Sequence, residues 1–259
     1  MVSGDCTVIQ SPMGKNIIID GGNNRDYDYG ENVVVPYLLD RKIMCLDFVI
    51  VSHFDSDHCG GLFAVLENLK VKNIIIGKQE SSYDNCVKFL ELAKSKNVNV
   101  IVVQKGDIVK IDKYAYFQIL WPDVSKLFND SNNGINNNSI TAKLIYSNFT
   151  MLFTGDIEAI AEEQIVKMYQ NSNVLDCDIL KVAHHGSKSS SIEQIVEKIT
   201  PKIAIIGVGK DNKYGHPNKD VVARLQNYGS RVFRTDENGE ISIVVNRKGK
   251  IVKAYPYLK

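Results

Sequence analysis

Short apolar runs rich in valine and isoleucine, set apart by polar turns and amphipathic stretches, fill this chain. Their composition predicts strands at Cys6–Gln10, Asn16–Ile19, Leu46–Val51, Val71–Ile76, Val98–Val103, Tyr116–Trp121, Ala142–Tyr146, Thr150–Phe153, Ile179–Ala183, Ile203–Val208, Arg231–Phe233, Ile241–Val245 and Ile251–Tyr255. Ser11–Lys15 and Ser147-Asn148 read as hairpin turns. Apolar residues at helical spacing predict helices over Val33–Leu39, Leu62–Leu69, 82–96, Ile157–Tyr169, Ile192–Ile199 and Lys219–Tyr228. Such a mixture buries its apolar faces best as a layered α/β arrangement, sheets inside and helices outside. No low-complexity linker interrupts it, so the 259 residues are expected to form one domain, 1–259. The Asn-rich stretch Asn129–Asn138 reads as a surface excursion.

Composition narrows the picture only a little. Lys and Arg number 31 against 30 Asp and Glu, a net charge of +1, so no broad basic surface advertises nucleic acid, although a local basic face can hide in that balance. No apolar run approaches the roughly 18 residues of a membrane span. Met1–Asp5 lacks a charged and then apolar leader, which points to the cytoplasm. The five cysteines are odd in number and contain no CxxC, as expected of free thiols in a reducing compartment. Cys59 could in principle be a ligand beside His58, but adjacent residues in extended chain point apart.

The histidines change the picture more. His53, Asp55, Asp57 and His58 leave the end of the Leu46–Val51 strand in an H-x-D-x-D-H pattern that runs into Gly60-Gly61. In extended backbone His53 and Asp55 point to one side and can reach one ion, while Asp57 and His58 diverge toward another ion or another face. Imidazole and carboxylate both suit divalent first-row metals. The plain alternative, a polar loop capping the next helix, would suffice for a single His-Asp pair. It does not explain the repetition. His184-His185 and His216 also follow predicted strands, and so do Asp20 and Asp156. Polar groups gathered at one end of several strands are how α/β proteins build a site on a rigid scaffold.

This series resembles the metallo-β-lactamase fold superfamily. The stretches "IIIDGG", "LDFVIVSHFDSDHCGGL", "NNNSI", "FTGDIE", "LKVAHHGSKSS", "YGHP" and "RTDENGEI" are similar to one branch, the metallo-β-lactamase domain of ComEC-type competence proteins, which form a DNA-uptake channel. The resemblance implies a four-layer αββα sandwich and a two-metal hydrolase. One ion would take His53 and Asp55, the other Asp57 and His58, with Asp156 bridging and His185 preferred over His184 as the late ligand. Asp20 would orient a metal-bound imidazole from behind. Asp57, His184 and His216 are the candidate catalytic residues, and Asn138, Ser139, Ser187 and Lys188 the candidate substrate contacts. His216 would meet the leaving oxygen or a phosphate. The membrane segments of the channel are absent, so the chain is expected to be a free domain or a membrane-associated part of such a channel. The extra strand that opens the family's domain, ending in a Gly-Gln-Gly-Asp turn, is reduced here to Ser3-Gly4-Asp5. The usual metal-binding histidine between His58 and Asp156 is missing, with Asn137, Asn138 and Ser139 in its stretch.

The chemistry expected of such a set is hydrolysis by a metal-activated water. Asp55 in place of a second histidine makes the set harder, which shifts preference from zinc toward manganese. The leading expectation is a phosphodiesterase or nuclease acting on DNA. The alternatives are hydrolysis of a lactone, a thioester or a small phosphoester, since one fold hosts all of these, and a non-enzymatic binding module stabilised by metal. Lys181, Lys188, Lys202, Lys210 and Lys213 form the candidate phosphate-binding patch.

Overall fold

The computed structural model describes residues 4–22, 27–78 and 83–257. Its strands are β1 Thr7–Gln10, β2 Asn16–Ile19, β3 Cys45–Val51, β4 Lys70–Gly77, β5 Asn99–Val103, β6 Ile108–Lys110, β7 Ala115–Trp121, β8 Thr141–Tyr146, β9 Phe149–Phe153, β10 Ile179–Lys181, β11 Ile203–Ile206, β12 Arg231–Arg234, β13 Glu240–Val245 and β14 Ile251–Tyr257. Its helices are α1 Val35–Asp40, α2 Ser56–Asn68, α3 Asp84–Ser95, α4 Gly134–Asn137, α5 Ala159–Met168, α6 Glu193–Ile199, α7 Lys219–Asn227 and α8 Thr235–Asn238.

One sheet has the order β1-β2-β3-β4-β5 and is parallel except for the β1/β2 hairpin. The second has the order β12-β11-β10-β9-β8-β7-β6, parallel from β12 to β9 and antiparallel beyond. β13 and β14 form a separate antiparallel pair. The central parallel strands are covered on both faces, which is why they read as continuous apolar runs. Ile18, Val49 and Ile74 face α1 to α3, while Ile17, Ile50 and Ile75 meet Phe117, Ala142 and Phe153 of the opposite sheet. On the far side Leu152, Leu180 and Ala204 pack against Ala161, Val196 and Leu225 of α5, α6 and α7. The result is the expected αββα sandwich. No described helix is long and apolar enough to cross a membrane.

Three sequence expectations need correction. α2 starts at Ser56, not Leu62, so Asp57 and His58 lie in its first turn rather than in a loop. The glycines hid this start, because they are poor helix formers. They are there for contact: a Cβ on Gly61 would lie 2.2 Å from the Gly21 carbonyl oxygen. β10 stops at Lys181, and Ala183–Gly186 forms a tight 3-10 turn with His184 and His185 at φ of 48° and 53°. The Asn-rich stretch is not simply a surface excursion. Asn136, Asn137, Asn138 and Ser139 are buried, and the fully buried Trp121 donates its indole N–H to the Asn137 carbonyl at 2.7 Å.

Candidate metal centre

The same ends of β2, β3, β9 and β10, with the first turn of α2, bring Asp20, His53, Asp57, His58, Asp156 and His185 together. Asp20 sits at φ 57°, a left-handed conformation uncommon for a non-glycine residue. Its carboxylate accepts the Ser52 N–H at 2.8 Å and the Ser52 hydroxyl at 2.7 Å. It also accepts Nδ1–H of His58 at 2.9 Å. With its proton given to Asp20, the Ser52 hydroxyl can only accept from Nδ1 of His53, 3.0 Å away. Nδ1 of His185 has the Gly207 carbonyl at 2.8 Å as its acceptor.

These partners fix the other side of each ring. In the neutral ring, with Nδ1 protonated on all three imidazoles, each Nε2 carries a lone pair that an ion can take in place of a proton. Nε2 of His58 faces Nε2 of His185 at 3.3 Å. The same atom lies 3.2 Å from Oδ1 of Asp156, and Nε2 of His185 lies 3.4 Å from Oδ2 of Asp156 and 3.3 Å from Asp57. Ligand atoms of His53, His58 and Asp156 lie within 4.8 Å of one another. Lone pairs and carboxylates thus converge with no donor among them. Nε2 of His53 and Oδ1 of Asp156 are buried without a hydrogen-bond partner, at a cost of about 1–3 kcal/mol for each such atom. A divalent cation satisfies them together, so the residues present fit a metal. The carbonyl and carboxylate behind the rings are the supports expected of metal-bound histidines.

Electrostatics agree on the sign of the missing charge. Burial opposes a charge on His58, yet Asp156 and Asp20 raise its pKa well above the ordinary value. Burial also opposes a charge on His185, but Asp156 and Asp5 raise it to about 10. Asp156 is held well below the carboxylate range against its own burial, by His58 and His185. His53 goes the other way, to about 4, because of burial and the neighbouring charge on His58. Asp55 is raised to about 6 by burial and by Asp57. The shifts of His58, His185 and Asp156 mark a place that favours positive charge, while His53 stays neutral beside the charge on His58.

The remaining predicted residues sit around this centre. Asp55 is the N-cap of α2, more exposed than the rest, with Oδ2 3.8 Å from Nε2 of His53. Nε2 of His184 is 3.9 Å from Asp156, and its other nitrogen faces Glu158. The His216 ring lies 5.8 Å from that of His184 and 6.3 Å from that of His185, half-buried on the rim. Ser187 is buried with its hydroxyl 3.0 Å from that of Ser189, and Lys188 is exposed. The structure does not bring Asn138 to the centre, since its amide is tied on both sides to the main chain of Phe128. Ser139 stands behind Asp156, its hydroxyl accepting the Asp156 main-chain N–H at 3.2 Å. Cys59 turns away to the Phe54 carbonyl, and all five cysteines are free.

Two lysines leave the expected patch. Lys181 is buried in an ion pair with Asp5. Lys202 pairs with Asp178 at the opposite end of the strands, where β11 begins. Lys188, Lys210 and Lys213 remain exposed.

Sequence reasoning missed Asp5, Ser52 and Glu158. Asp5 has Oδ1 3.5 Å from Nδ1 of His185. Its signal was the Ser3-Gly4-Asp5 remnant. Glu158 follows Asp156 by two in "FTGDIE". Ser52 carried no signal beyond its place before His53.

Comparison with known proteins agrees with this geometry. Residues 2–210 match the family model described as the metallo-beta-lactamase superfamily. The chain is 32% identical over 98% of its length to ComE operon protein 3 of Bacillus subtilis, covering 33% of that protein. It is 27% identical over 94% of its length to competence protein ComA of Neisseria gonorrhoeae, covering 31% of that one. The chain therefore spans about a third of the curated relatives it matches. Among solved structures, CmlA, a diiron beta-hydroxylase from Streptomyces venezuelae, aligns with a TM-score of 0.57 at 11% identity, over 90% of this chain and 52% of that one, a likeness of fold alone.

Proposed function

This chain belongs to the metallo-β-lactamase superfamily, and from that premise we propose that it is a metal-dependent phosphodiesterase that cleaves DNA. The observation that carries the reading is the convergence of three Nε2 lone pairs with Asp57 and Asp156. We read residues 1–259 as a single domain holding two divalent ions, manganese or zinc. His53 and Asp55 would hold one, Asp57, His58 and His185 the other, with Asp156 between. Bound there, such ions supply a nucleophile at neutral pH and stabilise the attacking and leaving oxygens of an in-line displacement.

The residues of the chain do the rest. Asp20 and Ser52 hold the rings of His58 and His53, and the Gly207 carbonyl holds His185, with Asp5 3.5 Å from the same nitrogen. The pKa of His216 is lowered to about 4 by burial and then by His184 and His185, so the ring is neutral at pH 7. A neutral ring suits an N–H bond to a phosphate oxygen better than outright proton donation. Lys188, Lys210 and Lys213 would meet neighbouring phosphates. The competence relatives support DNA as the substrate, and the carboxylate-rich ligand set supports manganese. Association with a membrane DNA-uptake channel rests on the resemblance to ComEC-type competence proteins.

The test is cleavage of single- and double-stranded DNA and of bis(p-nitrophenyl) phosphate with manganese, magnesium or zinc. Manganese-dependent cleavage of DNA that weakens steeply with salt is expected. Intact DNA and diester alongside opened lactones or thioesters would replace the phosphodiester reading. A metal-loaded protein that cleaves nothing would mark a binding module.

A further inference from the structure

The Asn-rich stretch and Glu158 have no place in the mechanism above. We propose that Glu158 is a positioning residue, clamped by Asn133 and Asn137, that fixes the tautomer of His184 and so turns an unprotonated Nε2 toward the metal centre. The kinetic consequence rests on the proposed function; the tautomer does not.

Glu158 immediately precedes α5 and is held on several sides. Its Oε1 accepts the Ser189 hydroxyl at 2.9 Å and lies 3.3 Å from Nδ1 of His184. Its Oε2 accepts the side-chain amides of Asn133 at 3.1 Å and Asn137 at 3.4 Å. Its own N–H donates to Oδ1 of Asn137 at 2.8 Å. Ser189, Asn133 and Asn137 thus each present a donor to the carboxylate. An unprotonated Nδ1 would set lone pair against carboxylate in the same place, so Nδ1 of His184 carries the hydrogen. That nitrogen is buried and lies 3.3 Å from Oε1 of Glu158, close to the carboxylate though not aligned for a full hydrogen bond.

The consequence appears on the other side of the ring. With Nδ1 protonated, Nε2 is a base atom, and it sits 3.9 Å from Oδ2 of Asp156. The backbone holds it there, since His184 is left-handed and donates its N–H to the Gly155 carbonyl at 3.1 Å. The buried Asn136–Ser139 segment is therefore the anchor of this arrangement. Trp121 fixes the main chain of Asn137, and Asn137 fixes Glu158.

The experiment reads the tautomer directly. Nitrogen-15 ring spectra of metal-free protein are recorded at a pH where the ring is neutral, with the His184 signals assigned by their loss in His184→Gln. The wild type is expected in the Nδ1–H form. Glu158→Ala should shift it toward Nε2–H, and Glu158→Gln, which keeps a carbonyl acceptor, should fall between. With metal restored, Glu158→Ala should lower kcat for bis(p-nitrophenyl) phosphate about 10- to 100-fold with metal content and KM unchanged, as removal of an outer support does. The Gln variant should recover part of that loss. An Nε2–H pattern in the wild type, or an unchanged Nδ1–H pattern in Glu158→Ala, overturns the proposal. So does metal loss in proportion to rate, which would make Glu158 a metal-holding group. Should the Ala variant not fold, the wild-type and Gln spectra still decide. A wild type that cleaves no diester removes the proposed function and leaves the tautomer result standing.

Discussion

The five histidines divide into two groups, and the contrast shows what the fold builds. His53, His58 and His185 are buried, and each gives Nδ1 to a buried oxygen acceptor on Ser52, Asp20 or Gly207. His184 and His216 are partly exposed, lean toward the same centre and have looser partners. The residue type is the same in both groups. What differs is the atom behind the ring. A buried acceptor there locks orientation and leaves Nε2 for an ion, whereas His184 has only the partly exposed Glu158 behind it and His216 stands on an open rim.

Removing a member of the buried group or its carboxylate partner should have the largest effect. Asp57→Ala and His58→Ala are each expected to lose metal and to abolish hydrolysis while circular dichroism stays close to wild type. Elemental analysis showing full metal occupancy in both variants would erase the distinction between the groups. The rim should behave differently. His216→Ala is expected to keep its metal and lose turnover about 10- to 100-fold, the size of one hydrogen bond to a charged oxygen. Equal losses of metal and rate would move His216 into the buried group.

The smallest effect concerns selectivity. Asp55 is the most exposed member of the H-x-D-x-D-H pattern and its oxygen is hard. Asp55→His should shift the best-supporting metal from manganese toward zinc, read from the ratio of rates with the two ions. An unchanged ratio would separate metal choice from this position.

Much of this was legible in the chain. β3 announced itself by an unbroken apolar run, the layered α/β arrangement followed from the mixture of strands and helices and the αββα sandwich from the resemblance, and the gathering of Asp20, His53, His58, Asp156 and His185 at one end followed from polar residues after predicted strands. The start of α2 was hidden because Gly60-Gly61 carry poor helix propensity, although only glycine allows the helix to press against Gly21. The left-handed turn at His184-His185 has no sequence signature, because φ there is imposed by tertiary contacts. The burial of Asn136–Ser139 ran against composition. It depends on Trp121, Phe128 and Glu158, partners distant in sequence. Nearness in sequence to the late histidines placed Lys181 and Lys202 in the phosphate patch, and only the ion pairs with Asp5 and Asp178 removed them.

The most direct measurement is metal binding by the unmodified chain, read by elemental analysis and by thermal stability. Protein purified without chelator is expected to carry divalent metal, lose it to chelator and regain it from manganese or zinc. Each reloading should raise the melting temperature, because an ion at about 100 times its Kd adds about 2.7 kcal/mol to folding stability. A wild-type protein that binds neither ion, and whose melting temperature ignores both, would contradict the account at its centre.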